Sequence, residues 1–598
     1  MYSISKQTYL VLLFFLFLAW IVTYPTIVYP LYIVPGDFRS DVWDHLWGYW
    51  RTERSLFTDH QFPYAESHMN YPQGGVLYHV DLLNSLFMLP LRTIFGMTAA
   101  YNILVWGHLV GAAFSMYILA RRFVSRTFPA IFAGVAFAFS PFMLSLTLGS
   151  GVANRLNIAW IPLFFLFYCK LLDNENTSIL NIILAATMFF FSLIGCWLYG
   201  QYVFMLCGFF SVFLLLHPLF SKPEETRKKH YFTLIIKKMF PLAIACALAG
   251  IPIGLLASQS VSAESSSIYQ REHHMFWDGT QPLEDMSTFG LVDFFVPNER
   301  GLLITNTFDM LFQTTYLGYI MLLLGFFSLF SKKKYAFFFF PTALVFAGLA
   351  LGPNFMWFRG GEQMSSLIYR TLARIVPYMT THESPWEFVL PVFFCASSAA
   401  AMGMDWILSL VQGIKIRNII GVVCILFLMV ENFIFSPSQV PVRTTQTKIP
   451  QYYYELAKQK DDFGIFDFPT RRPFTMLLPT EYFYFQTVHH KPIPYAVQNS
   501  WLDTHQFWVE LTRRQQRGAT MSVKDEFGIC RAGMAFGCGT VDKIRKQLVK
   551  DNFRYFILHT NLILEKERQD YREFFDSMFG TAEYSAENLV VYRIALQK

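Results

Sequence analysis

Long apolar runs separated by short polar segments dominate the first three quarters of the chain. Each run is long enough, or nearly so, to cross a bilayer as a helix. There are eleven of them, at about residues 9–29, 99–120, 127–147, 156–172, 177–196, 199–217, 238–257, 314–330, 335–352, 388–412 and 418–436. The pattern predicts a mainly α-helical, polytopic membrane domain of about eleven spans.

Two weaker apolar features need separate interpretation. The first run is followed by Val-Pro-Gly-Asp rather than by a small-residue cleavage site, so we predict a retained first span and no signal peptide. The run at about 79–95 contains three ionisable side chains, His79, Asp81 and Arg92. Counting it as a further span would move the basic cluster Arg121–Arg126 to the outer side. We therefore predict that it lies in the interface or is re-entrant.

Basic clusters between the apolar runs predict the orientation of the chain. With eleven spans and the N-terminus inside, these clusters fall in the cytoplasm, as the positive-inside rule requires. The same count exposes three long polar loops on the outer side, 30–98, 258–313 and 353–387. The same count also places the C-terminus on the outer side. We therefore predict a membrane domain over 1–436 and a separate outer domain over 437–598.

The outer domain has a mixed pattern. Short β-like runs occur at 463–468 and 554–559, and helical stretches occur at 450–460 and 541–552. The last apolar, β-branched run, 589–595, is expected to add a closing strand. These features predict an α/β fold for this part of the chain.

Composition and cysteine placement narrow the class of protein. The chain is 54% hydrophobic and 15% charged, which is too apolar for an ordinary soluble protein. Its net charge of +6 is concentrated in the clusters that topology explains, so nucleic-acid binding is not expected. Six of the eight cysteines lie in or beside apolar runs and are expected to be inert. Cys530 and Cys538 lie in the outer domain, where we predict a disulfide.

Three acidic residues follow the first apolar run. Asp37, Asp41 and Asp44 are spaced by four and three, so they share one face if this segment is helical. A general base could stand there. The alternative is an amphipathic helix at the membrane surface, with Trp43 and its neighbouring tryptophans at headgroup level and the acids facing water.

Several motifs, taken in order, resemble those of the GT-C superfamily of membrane glycosyltransferases, and of a poorly characterised bacterial branch in particular. Singly each motif is weak, but their order along the chain is much harder to explain by chance. The matching segments are Gly36–Asp41, Tyr71–His79, Trp160–Leu163, Asp293–Pro297, Tyr316–Tyr319, Leu351–Pro353 and Phe485–His489.

The resemblance implies a specific function. Such a protein moves a sugar from a polyprenyl-phosphate-linked donor to a glycan, lipid or protein acceptor on the outer face of a membrane, here the bacterial inner membrane. The first outer loop then supplies the base, with Asp37 and Asp41 favoured over Asp44. Some members of the superfamily use a divalent ion beside this motif, so Mg²⁺ or Mn²⁺ at Asp37 and Asp41 is left open.

Arginines in the outer loops are the natural partners of the donor phosphate, because a guanidinium offers bidentate donors and stays charged. The candidates are Arg155, Arg271, Arg359, Arg370 and Arg374. For Arg155 the alternative is snorkelling to lipid headgroups.

The candidates for the acceptor side or the cavity are His79, His273, His274, Glu383 and Glu387. The two adjacent histidines lack the spacing of a zinc helix.

One departure from the family pattern concerns function. An Arg-x-Pro-x-Arg-Phe-like segment is expected where this chain has Glu383-Ser-Pro-Trp-Glu387-Phe. The two acids either line the cavity or charge the first turn of the following helix, where carboxylates suit the positive end of the dipole.

Two further classes of function compete with the enzyme. The departure at Glu383 and Glu387 supports a catalytically inactive GT-C-like scaffold that binds partner proteins. A transporter would need ionisable groups in the middle of its spans, and these positions are overwhelmingly apolar.

Overall fold

The structure is a computed structural model. It describes residues 6–39, 41–63, 65–76, 81–173, 178–220, 225–264, 289–297, 314–358, 361–376, 385–470, 472, 479–495, 507–508, 511 and 538–595. Contacts between Cα atoms divide the chain into two compact units, which are treated separately below. The first is Met1–Asp37 with Asp81–Gln446, and the second is Phe38–Val80 with Thr447–Lys598.

The α-helices in these ranges are α1 (Lys6–Val22), α2 (Val42–Phe57), α3 (Leu82–Ala120), α4 (Thr127–Ala138), α5 (Trp160–Asp173), α6 (Ile179–Gly195), α7 (Trp197–Phe220), α8 (Glu225–Glu264), α9 (Tyr319–Phe327), α10 (Ala336–Ala350), α11 (Leu367–Ala373), α12 (Val389–Leu410), α13 (Ile414–Phe435), α14 (Gln451–Lys458), α15 (Glu481–His489), α16 (Cys538–Lys550) and α17 (Arg568–Phe579). The strands are β1 (Ile33–Pro35), β2 (Ala65–Glu66), β3 (Gly75–Val76), β4 (Asn354–Phe355), β5 (Met364–Ser365), β6 (Thr444–Gln446), β7 (Gly464–Phe468), β8 (Phe553–His559), β9 (Tyr584–Ala586) and β10 (Leu589–Arg593).

The first unit is built from apolar helices, and the protein is an integral membrane protein. Among the described residues, six helices are long and apolar enough to cross a membrane, or seven if α4 and the π-helical segment Met143–Gly149, bent by 47°, form one span. Four further apolar helices have 10–17 residues. Every predicted run overlaps one of these helices. The count of eleven spans stays a prediction.

The centre of the first unit is α12, which is almost completely buried. Small side chains follow one another along it, from Ala396 to Ala401, and they allow neighbouring helices to approach closely. At Gly403, an added Cβ would lie 1.8 Å from the carbonyl oxygen of Leu324 in α9. A side chain here would separate α12 from α9.

A buried carboxylate binds the backbone N–H groups at the N-terminus of α9. Glu431 of α13 accepts hydrogen bonds from the backbone N–H of Tyr319 at 2.6 Å and from the hydroxyl of Tyr316 at 2.9 Å. It satisfies donors that a helix start leaves without partners, and it suits the positive end of the helix dipole. The family motif Tyr316–Tyr319 therefore has a structural role.

The run predicted at 79–95 forms the first arm of α3. Asp81 caps this helix by accepting from the backbone N–H of Asn84 at 3.3 Å. The helix is interrupted at Gly96, where φ is 76° and only glycine is unstrained. The interfacial or re-entrant placement of this arm stays a prediction.

The second unit contains the predicted α/β fold. Its four-stranded sheet has the order β7-β8-β10-β9, with β7 parallel to β8 and the other pairs antiparallel. Phe466, Phe556 and Phe575 are fully buried against its strands. The C-terminal strand expected from the run 589–595 is confirmed as β10. β10 lies inside the sheet, and the edge beside it is β9.

The second unit also contains the first outer loop, since residues 38–80 group with 447–598. This differs from the single boundary expected at residue 436. The membrane-surface alternative for α2 is wrong, because Trp43, Trp47 and Trp50 are 5%, 2% and 4% exposed. The Trp47 indole N–H donates to Gln486 of α15 at 2.6 Å. The aromatic face of α2 is therefore part of a protein core.

Candidate active site

Asp37 lies at the end of a small sheet that joins distant parts of the first unit. β1 pairs antiparallel with β6. Beyond the pair, the N–H of Gly36 donates to the carbonyl of Arg443 at 2.8 Å, and the Thr445 hydroxyl donates to the carbonyl of Gly36 at 2.7 Å. Gly36 has φ of 125°, in the region that favours glycine. These bonds fix the backbone immediately before Asp37.

The carboxylate of Asp37 is also fixed. It is 3% exposed, and its Oδ2 accepts from the Arg443 guanidinium at 2.8 Å. The N–H of Asp37 donates to the carbonyl of Gly149 at 3.1 Å. A Cβ on Gly149 would lie 2.5 Å from Ser438 Oγ, so glycine is needed for this close approach. A guanidinium at this distance favours the ionised carboxylate. Asp37 is therefore a positioned anion.

The expected sharing of one helical face by all three acids is wrong for Asp37. The helix begins at Val42, with Asp41 as its N-cap, and Asp37 lies before it in extended chain. The reason is tertiary, since pairing of β1 with β6 determines the backbone here. Asp41 and Asp44 belong to the second unit.

In the second unit, Asp44 stands out electrostatically. Its Oδ1 is buried and has no hydrogen-bond partner among the described residues. Burial, and then the negative charges of Asp41 and Glu481, raise the pKa of Asp44 well above the ordinary value. Glu481 is itself paired with Arg472. The raised pKa favours the protonated form of Asp44, which suits a hydrogen-bond donor or an acid better than a base.

Arg155 is engaged with another predicted site residue. It lies in the 3₁₀ segment Ala153–Ala159, and its Nη2 lies 2.7 Å from Glu387 Oε2. Its Nη1 contacts the Cys196 sulfur at 2.9 Å, and the Tyr199 hydroxyl donates to its carbonyl at 2.8 Å. The two charged side chains are only 14% and 10% exposed. Snorkelling is therefore not how this arginine is accommodated.

Glu387 lies in the 3₁₀ turn Pro385–Phe388 that leads into α12. This is the helix-start position expected from the sequence. The sequence resemblance led us to expect an arginine at this position. In this chain the charge at 387 is reversed, and Arg155, brought from a different helix, neutralises it.

Two other predicted phosphate ligands lie on α11 and at its C-terminal end. Arg370 and Arg374 are four residues apart, which places them on the same side of the helix, and both are exposed. The guanidinium of Arg370 donates to Asn354 Oδ1 at 2.9 Å, which links α11 to β4. Ser366 caps the helix by accepting from the N–H of Tyr369 at 3.2 Å. Neither arginine has an ion pair with a described carboxylate.

Several predicted site residues cannot be located. His79, Arg271, His273, His274, Arg359, Glu383 and Cys530 lie outside the described residues. Cys538 begins α16, but its side chain is not described. The predicted disulfide therefore stays a prediction.

The structure adds residues that the sequence did not single out. One of them is Arg443, which follows the last apolar run. In the sequence it is recognisable only as a cation on the predicted outer side.

A polar cluster connects α3 with the 3₁₀ segment Ala153–Ala159. His108 Nε2 lies 2.7 Å from Asn84 Oδ1, and Asn84 donates to Asp81 Oδ2 at 2.7 Å and to the carbonyl of Ala153 at 3.2 Å. This cluster holds the segment that carries Arg155.

The described residues do not assemble a metal site. No group of three or more histidine, cysteine, aspartate or glutamate side chains comes together among them. The Asp37 carboxylate accepts a hydrogen bond from a cation, Arg443. The Mg²⁺ or Mn²⁺ left open above stays a prediction, and no chemical step is assigned to it.

Comparison with solved structures gave matches, whereas comparison of the sequence with families and curated proteins did not. No protein-family model matches the chain, and no curated protein sequence matches it. Among solved structures, a point mutant of the arabinofuranosyltransferase AftD from Mycobacteria matches with a TM-score of 0.52 and 12% identity, over 100% of this chain and 42% of that chain. The unmutated enzyme gives 0.51 and 13%, over 100% and 40%. The chain has a GT-C fold.

A third similarity is weaker. The apo oligosaccharyltransferase of Archaeoglobus fulgidus matches with a TM-score of 0.48 and 11% identity, over 92% of this chain and 70% of that chain. At these identities the GT-C likeness concerns the fold alone. The two AftD matches, with TM-scores of 0.52 and 0.51, confirm the GT-C fold that the resemblance implied.

Proposed function

We propose that the protein is a membrane glycosyltransferase that moves a sugar from a polyprenyl-phosphate-linked donor to an acceptor on the outer face. The acceptor class is a glycan, a lipid or a protein. The observation that carries the proposal is Asp37, an almost fully buried carboxylate fixed by Arg443 and by backbone hydrogen bonds on both sides. The GT-C fold, which the chain shares with an arabinofuranosyltransferase, supports glycosyl transfer as the class of reaction.

In the proposed reaction an acceptor hydroxyl attacks the anomeric carbon of the sugar. The bond from that carbon to the acceptor oxygen forms, and the bond to the lipid phosphate breaks, with its electron pair leaving on the phosphate. Asp37 accepts the hydroxyl proton as general base. Buried fixation keeps the carboxylate oriented throughout, and the pairing with Arg443 keeps it ionised before the reaction.

The departing phosphate needs cations. We assign this role first to Arg370 and Arg374, because both are exposed on one side of α11 and have no described carboxylate partner. Arg155 is the weaker candidate, since its guanidinium is already neutralised by Glu387. It could bind phosphate only after that ion pair opens. Asp44 belongs to the second unit, and its role in catalysis stays a prediction.

The test removes the charge of Asp37 and little else. Cell-envelope glycans, lipids and glycoproteins are compared by mass spectrometry in cells that make the wild type, no protein, or Asp37→Asn. We expect one product to disappear without the protein and to fall about 100-fold or more in Asp37→Asn, the range for loss of a general base. Asp461→Asn is the matched control, because Asp461 is an exposed carboxylate that also pairs with an arginine, Arg554. It should leave the product unchanged.

The ion pair between Arg155 and Glu387 favours a second candidate function. Both this arginine and Asp37 are paired with opposite charges, as expected of a GT-C scaffold that has lost catalysis. In that case Asp37→Asn, made at normal level, would leave every product unchanged, whereas deletion would still alter the envelope.

A further inference from the structure

A recess of about 610 Å³ lies in the first unit. It is formed where the end of α3, the turn before α10 and the end of α12 meet. Its charged lining residues are Arg122, Arg126, Lys333 and Asp405. The proposed transferase reaction uses none of them.

Asp405 organises the recess. It is 4% exposed, and its carboxylate accepts from Arg126 at 2.9 Å and from Lys333 at 2.8 Å. Lys333 also donates to the carbonyl of Phe123 at 2.8 Å. The side chains of Arg126 and Lys333 remain 29% and 33% exposed, so the ion pairs hold them without removing them from the opening. With the exposed Arg122, the recess contains three cations and one carboxylate.

The net charge of the recess is therefore +2, and this charge is concentrated on a concave surface. Basic residues that only define topology need no such arrangement, since any position beyond the end of a span serves. Here a buried acid holds two cations at fixed positions around an opening. Such an opening suits a group with several negatively charged oxygens, and phosphate is the commonest of these.

The position of the recess along α12 matches the surface of a bilayer. Asp405 is eighteen residues beyond Glu387, or about 27 Å along a helix. This is close to the thickness of the hydrocarbon core. Trp406, also in the lining, stacks on Phe330 at 5.7 Å, as interfacial tryptophans do. Thus the recess lies at headgroup level at the opposite end of α12 from Glu387.

Apolar surface continues from the recess. Phe330 is 51% exposed, Phe326 is 50% exposed and Leu410, at the end of α12, is 63% exposed. A soluble phosphate would not use these side chains. A phospholipid would, because its acyl chains must lie against apolar surface while its headgroup binds the cations.

We propose that this recess binds the headgroup of an anionic phospholipid. Arg122, Arg126 and Lys333 contact the phosphate oxygens, and the apolar side chains contact the acyl chains. A zwitterionic headgroup is disfavoured, because its ammonium group adds a cation to a site that is already +2. Because the recess joins three segments of the first unit, the bound lipid stabilises the fold.

The test uses the full chain, purified in detergent, stripped of lipid and titrated with phosphatidylglycerol or phosphatidylcholine. Native mass spectrometry counts bound lipids, and thermal unfolding reports stabilisation. We expect one saturable phosphatidylglycerol that raises the unfolding midpoint, with no matching effect of phosphatidylcholine. Equal binding of both lipids overturns the proposal. So does a full shift produced by inorganic phosphate alone, since that would identify a site for a soluble anion.

Variants give the sharper result. Arg122→Gln removes one of the three cations of the lining, and it should weaken phosphatidylglycerol binding about fivefold. Lys170→Gln, the control, removes an exposed cation near the end of α5 and outside the lining, and it should bind as the wild type does. Asp405→Asn raises the net charge to +3, so it should bind more tightly if it folds. Unchanged binding in Arg122→Gln overturns the proposal whether or not Asp405→Asn folds.

Discussion

The ion pair between Arg155 and Glu387 makes a quantitative prediction about stability. Arg155→Met and Glu387→Gln each remove one partner and leave the other charge buried. At 2.7 Å and an effective dielectric constant of 20, the attraction is about 6 kcal/mol. Desolvation of the two ions offsets most of this, so the intact pair contributes little net stability. Removing one partner forfeits the attraction and keeps the desolvation, at a cost of about 3–5 kcal/mol.

The double variant, Arg155→Met with Glu387→Gln, removes both charges and should cost less than either single variant. Thermal unfolding of the four purified proteins in one detergent completes a double-mutant cycle. Exchanging the two residues, Arg155→Glu with Glu387→Arg, keeps the pair and returns an arginine to the family position. It should recover much of the midpoint lost in the single variants. If Glu387→Gln unfolds at the wild-type temperature, or if the single losses simply add in the double variant, the buried pair as described here is incorrect.

Three further predictions concern separate residues. Burial holds the pKa of Asp44 above the ordinary value of 3.8, so the unfolded chain releases a proton that the folded chain keeps, and stability falls as the pH rises. Asp44→Asn should therefore raise the free energy of unfolding by about 1–3 kcal/mol at pH 7 and by little at pH 4; a lower unfolding midpoint at pH 7 would contradict this. Burial lowers the pKa of His489 well below 6.5, so its contribution is lost as the pH falls below 6.5. His489→Asn, which cannot take up that proton, should flatten the fall in midpoint between pH 7 and 5, and an unchanged slope would refute it. Replacing Arg370 and Arg374 together by glutamine should reduce product at least about tenfold at normal protein level, and wild-type product would exclude them as phosphate ligands.

The parts of the fold that the sequence predicted are those set by local pattern. The apolar run at 388–412 became α12, and the alternation at 463–468 and 554–559 became β7 and β8, because hydrophobic periodicity is a property of a short segment. The α/β character of the C-terminal part followed from the same signal. The order of strands did not, since placing β10 between β8 and β9 depends on how the elements pack.

The candidate site was predicted less completely, because its geometry comes from distant pairs. Asp37 was identified, but its partner Arg443 is 406 residues further along the chain. Arg155 and Glu387 were both singled out, yet their contact spans 232 residues and reversed the expectation of a free phosphate ligand. The tryptophans of α2 fit a membrane surface equally well by sequence. They belong to a protein core because α2 contacts α15, which lies some 440 residues away in the sequence.

The central claim is that Asp37 drives sugar transfer from a lipid phosphate, and released carrier measures this whatever the sugar or acceptor. Proteoliposomes containing the wild type, Asp37→Asn or Asp461→Asn are supplied with lipid-linked sugars and acceptors extracted from deletion cells, and free polyprenyl phosphate is quantified over time. The account predicts steady release by the wild type and Asp461→Asn, and release at least about 100-fold slower by Asp37→Asn. Equal release by Asp37→Asn and the wild type would contradict it.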